Sequence, residues 1–401
     1  MNGMKSVIVQ KFGGVCLESP EKIKQVAASI AQLSKEGHGV VAVVSAMGKT
    51  TDGLVKLAYE VSAAPNRREL DMLLTTGERV SMALMSMALT DLGCRAISFT
   101  GSQAGVMTDG SHSNARIIDI RPIRIEEELQ RGSVIVLAGF QGVNPETKEI
   151  TTLGRGGTDT TAVAMAVKLR ASRCDIVKEV DGVCSADPQL VPNAKRISKL
   201  TYAALREMCF WGAKVLHYRS VELAEQTHVP LFIRRWGHDG RFTEIVKEDL
   251  AMELCQILSV NSHARIEHFE VEAPTLNQAF LLFEKHLQTK MLPRPQILAS
   301  AMDAGKTRLM LTGDEELLES LMASIAGHKQ IRTIKKTLSS VTVTCHGSIG
   351  SDVPSKVMSC LESEGIAVDK VLFTPLSVTV CVDPHLKEAA IRALHNLVER
   401  K

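Results

Sequence analysis

Lys11, Gly13 and Gly14 sit at the end of VIVQKFGG, an apolar run followed by one cation and two residues without side chains. Adjacent glycines let backbone N–H groups come close to an anion, and a lysine adds a compact positive charge. The stretch therefore reads either as a tight strand-to-loop turn or as a phosphate cradle. A second loop, TTLGRGGTDTTA at 151–162, places Arg155 among Gly154, Gly156 and Gly157, and Thr158 and Asp159 then open a helix. Helix N-termini attract anions, and a guanidinium grips a carboxylate or phosphate with two parallel bonds. Asp159 also suits a first helical turn for capping alone.

Four further loops carry candidate groups. LLTTGERVS at 73–81 leads through Thr75, Thr76 and Gly77 toward a helix bearing Glu78. VSAMGKTTDGL at 44–54 offers Gly48, Lys49 and Thr50 after an apolar strand. EVDGVCSADPQL at 179–190 holds Asp181 and Asp187, which either make turns or face Mg²⁺ or ribose. FWGAKVLHYRS at 210–220 places Lys214 near a helix end, where a cation is favoured in any case. Lys11 and Lys214 can balance phosphate charge, and Arg155 and Glu78 can hold the two poles of a small zwitterion. Phosphoryl transfer asks for this kind of positioning and charge stabilisation.

The elements that must hold these groups follow from periodicity. From Val7 to about Ile233, short apolar runs alternate with helical patterns. This predicts an α/β fold with a mostly parallel sheet and helices on both faces, its ligands bound at the carboxyl ends of strands. ERVSMALMSMALTDLG reads as a helix opening at Glu78. From about Ala264 the order becomes strand, helix, strand, strand, helix, and it recurs from Val341, which predicts a tandem pair of small α+β modules. WGHDGRFTEIVKEDLAMEL, from Trp236, reads as the link. The expected domains are 1–248, 249–340 and 341–401.

Composition excludes several classes. The chain has 401 residues, 45% apolar, with a net charge of +2 and 4% aromatics, so no nucleic-acid or anionic-membrane partner is expected. No apolar run approaches the roughly 20 residues of a spanning helix. The nine cysteines form no C-x-x-C pair, which predicts reduced thiols and a cytoplasmic location.

Taken in order, KFGG, SAMGKTTD, TTGERVS, LGRGGTDTTA, DGVCSADP and GAKVLH resemble the aspartokinases of the amino-acid kinase superfamily. The resemblance covers residues 5 to about 236. It implies a three-layer sandwich followed by two ferredoxin-like ACT modules, and transfer of phosphate from ATP to L-aspartate to give 4-phospho-L-aspartate, the first step of the aspartate-family amino-acid pathway. On that basis Lys11, Gly13 and Gly14 stabilise the transferred group, and Asp159 orients the lysine. Thr50, Glu78, Arg155 and Thr158 hold aspartate. Lys178, Glu179, Asp181, Cys184, Asp187 and Lys214 belong to the nucleotide, and Mg²⁺ rides on its phosphates. A homodimer or larger homo-oligomer is implied, and the ACT modules either bind an amino-acid effector or have a structural, dimer-forming role.

Departures from the family pattern are concentrated near the nucleotide. Val15 and Cys16 replace Thr and Ser; Lys178, Glu179, Cys184 and Gln189 replace Thr, Asp, Tyr and Arg; Tyr218 replaces Pro. Losing an aromatic surface and a cation should weaken ATP binding by about 1–3 kcal/mol. These changes motivate an alternative, a regulatory homologue that binds an amino acid without turnover. Cys16 reads either as a reactive thiol or as a small buried apolar group.

Overall fold

The computed structural model describes residues 4–236, 240–247, 256–290, 292 and 294–398, which fall into two compact units. The first is an eight-stranded sheet in the order Lys199–Thr201, Phe242–Val246, Leu231–Arg235, Arg173–Lys178, Val7–Phe12, Gly39–Val44, Val134–Ala138, Ala96–Phe99. All its pairings are parallel except that of Leu231–Arg235 with Phe242–Val246. The strands Val7–Phe12, Gly39–Val44 and Val134–Ala138 are buried along their whole length, as their unbroken apolar runs demand of a sheet covered on both faces.

Helices supply the cover. Pro20–Lys35 starts at Ser19, whose side chain accepts the Lys22 N–H, and buries Ile23, Val26 and Ile30 against Val40, Val44 and Val136. Gly157–Lys168 is buried from Gly157 through Ala166, so it has no polar stripe to show. A smaller sheet of Ile117–Ile120, Val106–Thr108, Gln141–Val143 and Ile150–Thr152 lies in the same unit. Its strands are of three or four residues, too short for alternation to reveal them.

Two expectations about this unit are corrected. The helix opening at Glu78 begins eleven positions earlier, as Arg67–Asp91, so Thr75, Thr76 and Gly77 are helical. Asn66 caps it, its side chain accepting the Arg68 N–H at 2.9 Å. Gly77 marks a close approach, since a Cβ there would lie 2.8 Å from the Ala46 side chain. The link expected from Trp236 contains a strand of the main sheet, Phe242–Val246, and the expected boundary at 248/249 lies outside the described residues.

The second unit is built on a six-stranded sheet, ordered Gln296–Asp303, Lys306–Thr312, Gln256–Glu272, Ile331–His346, Ser377–Val382, Lys370–Thr374, with every pairing antiparallel. The two expected modules share it. Gln256–Glu272 and Ile331–His346, of 17 and 16 residues, run through both, with register shifts between His263 and His268. Ile257 and Val260 therefore pack with Val341, Val357 and Leu361, while Phe269 and Val271 pack with Phe283 and Leu309. A boundary at 340/341 would cut the strand Ile331–His346.

The segments Cys184–Lys195 and Phe210–Ala213 also belong to this second unit. Ala186 and Val191 join the cluster around Leu361. The Ser185 hydroxyl is 2.8 Å from His395 Nε2 and accepts the Lys195 N–H at 2.9 Å. Among the described residues no helix is long and apolar enough to cross a membrane. Because Leu361 is fully buried in this cluster, Leu361→Ala should destabilise the second unit by about 2–5 kcal/mol, read as a lower midpoint in denaturant unfolding.

Candidate active site

Lys11 is the next-to-last residue of the strand Val7–Phe12, paired with Val43 on one side and Ile176 on the other. Its Nζ lies 2.7 Å from Asp159 Oδ1, and both side chains are about nine-tenths buried. Gly13 continues the chain in extended conformation, and a Cβ there would stand 3.6 Å from Lys11 Nζ. Gly14 is more tightly constrained. A Cβ on it would lie 2.7 Å from the Ala46 carbonyl oxygen and 3.0 Å from that of Gly48, and its own carbonyl accepts the Gly48 N–H at 2.9 Å. Gly14 thus lets the loop 45–48 close against the chain just past the strand that carries Lys11. Cys16 is buried with its thiol toward the Val177 carbonyl; burial raises its pKa, Lys11 acting in the opposite sense. It fits the small buried group of the two readings.

Asp159 lies in the first turn of Gly157–Lys168, where a carboxylate is favoured by the helix dipole. Thr158, beside it, is buried against Gly139, whose missing Cβ would otherwise sit 2.5 Å from Thr158 Cγ2. Phe140 follows with φ +68°, a left-handed backbone that costs a bulky residue about 1–3 kcal/mol. Its N–H donates to Thr161 Oγ1 at 3.2 Å, and its carbonyl accepts the Leu153 N–H at 2.9 Å. The Gly139–Phe140 corner went unnoticed in the sequence because it carries no ionisable group.

Glu78 reaches the same region from Arg67–Asp91. It is 3% exposed; Oε1 accepts the Ala46 N–H at 3.1 Å, and Oε2 is buried without a hydrogen-bond partner. Desolvation pushes its pKa up to about 7, against the Ala46 hydrogen bond. A buried carboxylate with one open oxygen is suited to receive a cation. Thr50, at the start of Thr50–Val61, is exposed and donates to the Met47 carbonyl at 2.6 Å, and its methyl lies near the face of Gly77.

Arg155 is exposed on a loop whose neighbours Gly154 and Gly156 have φ +74° and +68°. The loop is clamped on three sides. Arg219 donates to the Leu153 carbonyl at 3.2 Å, to Asn114 Oδ1 at 3.1 Å and to the Ala115 carbonyl at 3.1 Å. Gly154 packs against Ser113, where a Cβ would stand 2.9 Å from the carbonyl oxygen, and Gly156 packs against His217, where it would stand 2.1 Å from Cβ. Ser113 itself has φ +65°, at a cost of about 1–3 kcal/mol. His217 caps the helix Tyr218–Thr227, its Nδ1 accepting the Arg219 N–H at 3.3 Å, which leaves the ring proton on Nε2. Burial, then the Arg219 charge, lower its pKa to about 4, so it is neutral near pH 7. Both His217 and Arg219 lie in the stretch FWGAKVLHYRS, whose spacing gave neither a role.

The nucleotide candidates divide. Lys178 ends the strand next to that of Lys11, and its Nζ donates to the Lys214 carbonyl at 3.0 Å. Burial lowers its pKa; Asp159 opposes this and Lys11 adds to it. The Lys214 side chain is exposed. Glu179 pairs with Lys22 at the surface. Asp181 lies 3.5 Å from Arg241 and keeps a buried Oδ1 without a hydrogen-bond partner. Cys184 and Asp187 belong to the second unit, and Asp187 is exposed, its Oδ1 accepting the Gln189 N–H at 2.9 Å, the turn-forming role its type allows. The first unit therefore places Lys11, Gly13, Gly14 and Lys178 at the ends of adjacent strands and Thr158 and Asp159 at a helix start, Asp159 against Lys11, with Glu78 and Arg155 on other elements of the unit.

The first unit thus combines a largely parallel sheet with a lysine–glycine loop, a buried acid at a helix start and a glycine-rich arginine loop. Residues 6–235 match the amino acid kinase family. The aspartokinase of Geobacillus stearothermophilus is 38% identical over 401 residues, 97% of this chain and 96% of that one. The aspartokinase of Mycobacterium tuberculosis is 50% identical over 264 residues, 65% of this chain, and the match spans 62% of the mycobacterial protein. Escherichia coli aspartokinase III, in a crystal structure with aspartate and ADP, shares the fold with a TM-score of 0.78 at 21% identity over 98% of this chain and 99% of that one. The chain therefore belongs to the amino acid kinase family and, within it, to the aspartokinases.

The raised pKa of Glu78 has a measurable consequence for stability. Below pH 4.5 the carboxyl is protonated in both folded and unfolded chains. Between 4.5 and about 7 the unfolded carboxyl ionises while the folded one does not, so stability falls as pH rises. Glu78→Gln removes this loss. Its stability advantage over the unchanged chain should grow across that window to about 3 kcal/mol and then level off, as measured by denaturant unfolding at several pH values. A pH-independent difference would contradict the raised pKa.

Proposed function

We propose that this chain transfers the γ-phosphoryl group of ATP to the side-chain carboxylate of L-aspartate. The observation that carries the reading is the buried Lys11–Asp159 pair at the Gly13–Gly14 loop, with the open oxygen of Glu78 nearby. Membership among the aspartokinases, and the aspartate and ADP bound by the Escherichia coli relative, support the choice of substrates.

In this reading the Glu78 carboxylate takes the ammonium of aspartate and Arg155 its α-carboxylate, leaving the side-chain carboxylate to face the nucleotide. Thr50 and Thr158 serve as hydroxyl partners. A side-chain oxygen attacks the γ-phosphorus, forming the new O–P bond as the bond to the β,γ-bridging oxygen breaks. ADP departs with that electron pair. No proton need move, since the nucleophile is already ionised. Lys11 and the amides of Gly13 and Gly14 neutralise charge on the transferred group, and Asp159 fixes the lysine. Lys178 and Lys214 are the cations for the nucleotide phosphates. Mg²⁺ would be held chiefly by the triphosphate, with Asp181, whose Oδ1 has no hydrogen-bond partner, as the candidate protein carboxylate. The ion supplies charge neutralisation at the phosphates.

The test is hydroxylamine trapping with purified protein, Mg-ATP and either L-aspartate or L-glutamate. Aspartyl hydroxamate with aspartate alone is expected; no hydroxamate with either would overturn the proposal. Lys11→Ala should lower kcat by about 10²–10³ with the fold retained by circular dichroism. Arg155→Ala should raise the aspartate KM by about tenfold with a smaller change in kcat, and an unchanged KM would remove Arg155 from the substrate site.

A further inference from the structure

The substrate groups just proposed lie on separate elements: Glu78 on the helix Arg67–Asp91, Arg155 on the loop 153–157. One buried side chain ties the two together. Asp71 is fully buried on the same helix as Glu78, seven residues and so about 10 Å earlier, on the same face. Its carboxylate receives four donors. The Ser113 N–H reaches both oxygens at 3.0 and 3.1 Å, Ser113 Oγ lies at 3.3 Å, His112 Nδ1 at 2.8 Å and Thr152 Oγ1 at 2.6 Å.

Three of these donors are on the buttress 112–113 and the fourth is on Thr152, next to Leu153. The carbonyl of Ser113 is the surface on which Gly154 rests. Ser113 is held at φ +65°, where a residue with a Cβ does not stay unless its surroundings fix it. A strained, non-glycine residue pinned by a buried carboxylate beside a substrate loop is strain kept for a purpose.

The geometry points to Asp71 as a positioning residue that fixes Arg155 relative to Glu78, and so sets the spacing between the two poles of the amino-acid site. Asp71 meets no substrate; it acts through Ser113 and Thr152 on the loop 153–157. The inference rests on the substrate roles proposed above for Glu78 and Arg155.

The test uses the full chain with Asp71→Asn, His112→Ala, and Asp71→Asn combined with Ser113→Gly. His112 is partly exposed, so its substitution is the milder probe should Asp71→Asn fail to fold. Asp71→Asn should speed amide hydrogen exchange at Ser113 and Gly154–Gly157 while the strands Val7–Phe12 and Gly39–Val44 keep their protection. It should raise the aspartate KM about tenfold, with kcat and the ATP KM changed by less than about threefold. His112→Ala should move the same readouts the same way by about threefold. Ser113→Gly in the Asp71→Asn background should recover part of the KM, because glycine adopts φ +65° without the steric cost that serine meets there. Unchanged exchange at 154–157, or a fall in kcat with the aspartate KM intact, would overturn the inference. So would a general rise in exchange without rescue, which is what a purely structural role predicts. If the unchanged chain forms no aspartyl hydroxamate, the proposed function fails by that result alone, and the exchange measurement still decides whether Asp71 fixes the loop.

Discussion

The Lys11–Asp159 ion pair is the constraint around which the first unit is arranged. Two charges removed from water are expensive, and their attraction offsets the cost only when geometry holds them together. Here one charge stands at the end of a strand flanked on both sides by parallel neighbours, and the other in the first turn of a helix buried on all sides. Neither element can drift without separating the pair. The glycines follow from the same requirement. Gly14 allows the loop 45–48 to close over the strand end, Gly139 allows Thr158 to seat beside Asp159, and any Cβ at either place would force the walls apart.

Around this pair the unit keeps groups in states that a stability optimum would remove. Glu78 is buried with an oxygen unpartnered and a pKa near 7, Phe140 and Ser113 hold left-handed backbone, and His217 is kept neutral by burial. All lie on the loops and helix starts that follow the strand ends, or pack against them. The long buried strands carry the stability that tolerates these costs. Such clustering is expected where a site must be organised before its ligand arrives, because a carboxylate or guanidinium free to turn back toward solvent would give up its binding energy in reorganisation.

The sequence made part of this arrangement legible. Unbroken β-branched runs marked the central strands, and Lys11 was expected at the end of one of them, with Arg155 and Asp159 on a glycine-rich loop that opens a helix. What it hid has physical causes. Gly77 looked like a loop residue because its reason for being glycine, contact with Ala46, is a tertiary one. Asp71 and Ser113 looked ordinary because their bond joins residues 42 positions apart and their types are common in helices and turns. Arg219 drew no reading from the sequence, yet it holds two carbonyls and an amide oxygen from distant segments. Spacing along the chain picks out candidate charged groups at strand ends and glycine loops better than the groups that hold them still.

The second unit shows the same limit at larger scale. Its repeat of strand, helix, strand, strand, helix was readable, and it suggested two modules divided at Val341. The residues 337–340 just before that division lie inside the strand Ile331–His346, with Leu338, Ser339 and Ser340 buried and the Ser339 hydroxyl donating to the Ala264 carbonyl. Polar side chains are tolerated there because neighbouring strands satisfy them. Sharing two long strands removes the independence that separate modules would have, since neither core is complete without its half of Gln256–Glu272. The segment Cys184–Lys195 carries this further. It sits early in the chain, yet its core partners include Leu361 and Leu394, and Ser185 meets His395, 210 residues away. That segment cannot acquire its native packing until the last helix has formed, so its order is tied to completion of the whole second unit rather than to its neighbours in sequence.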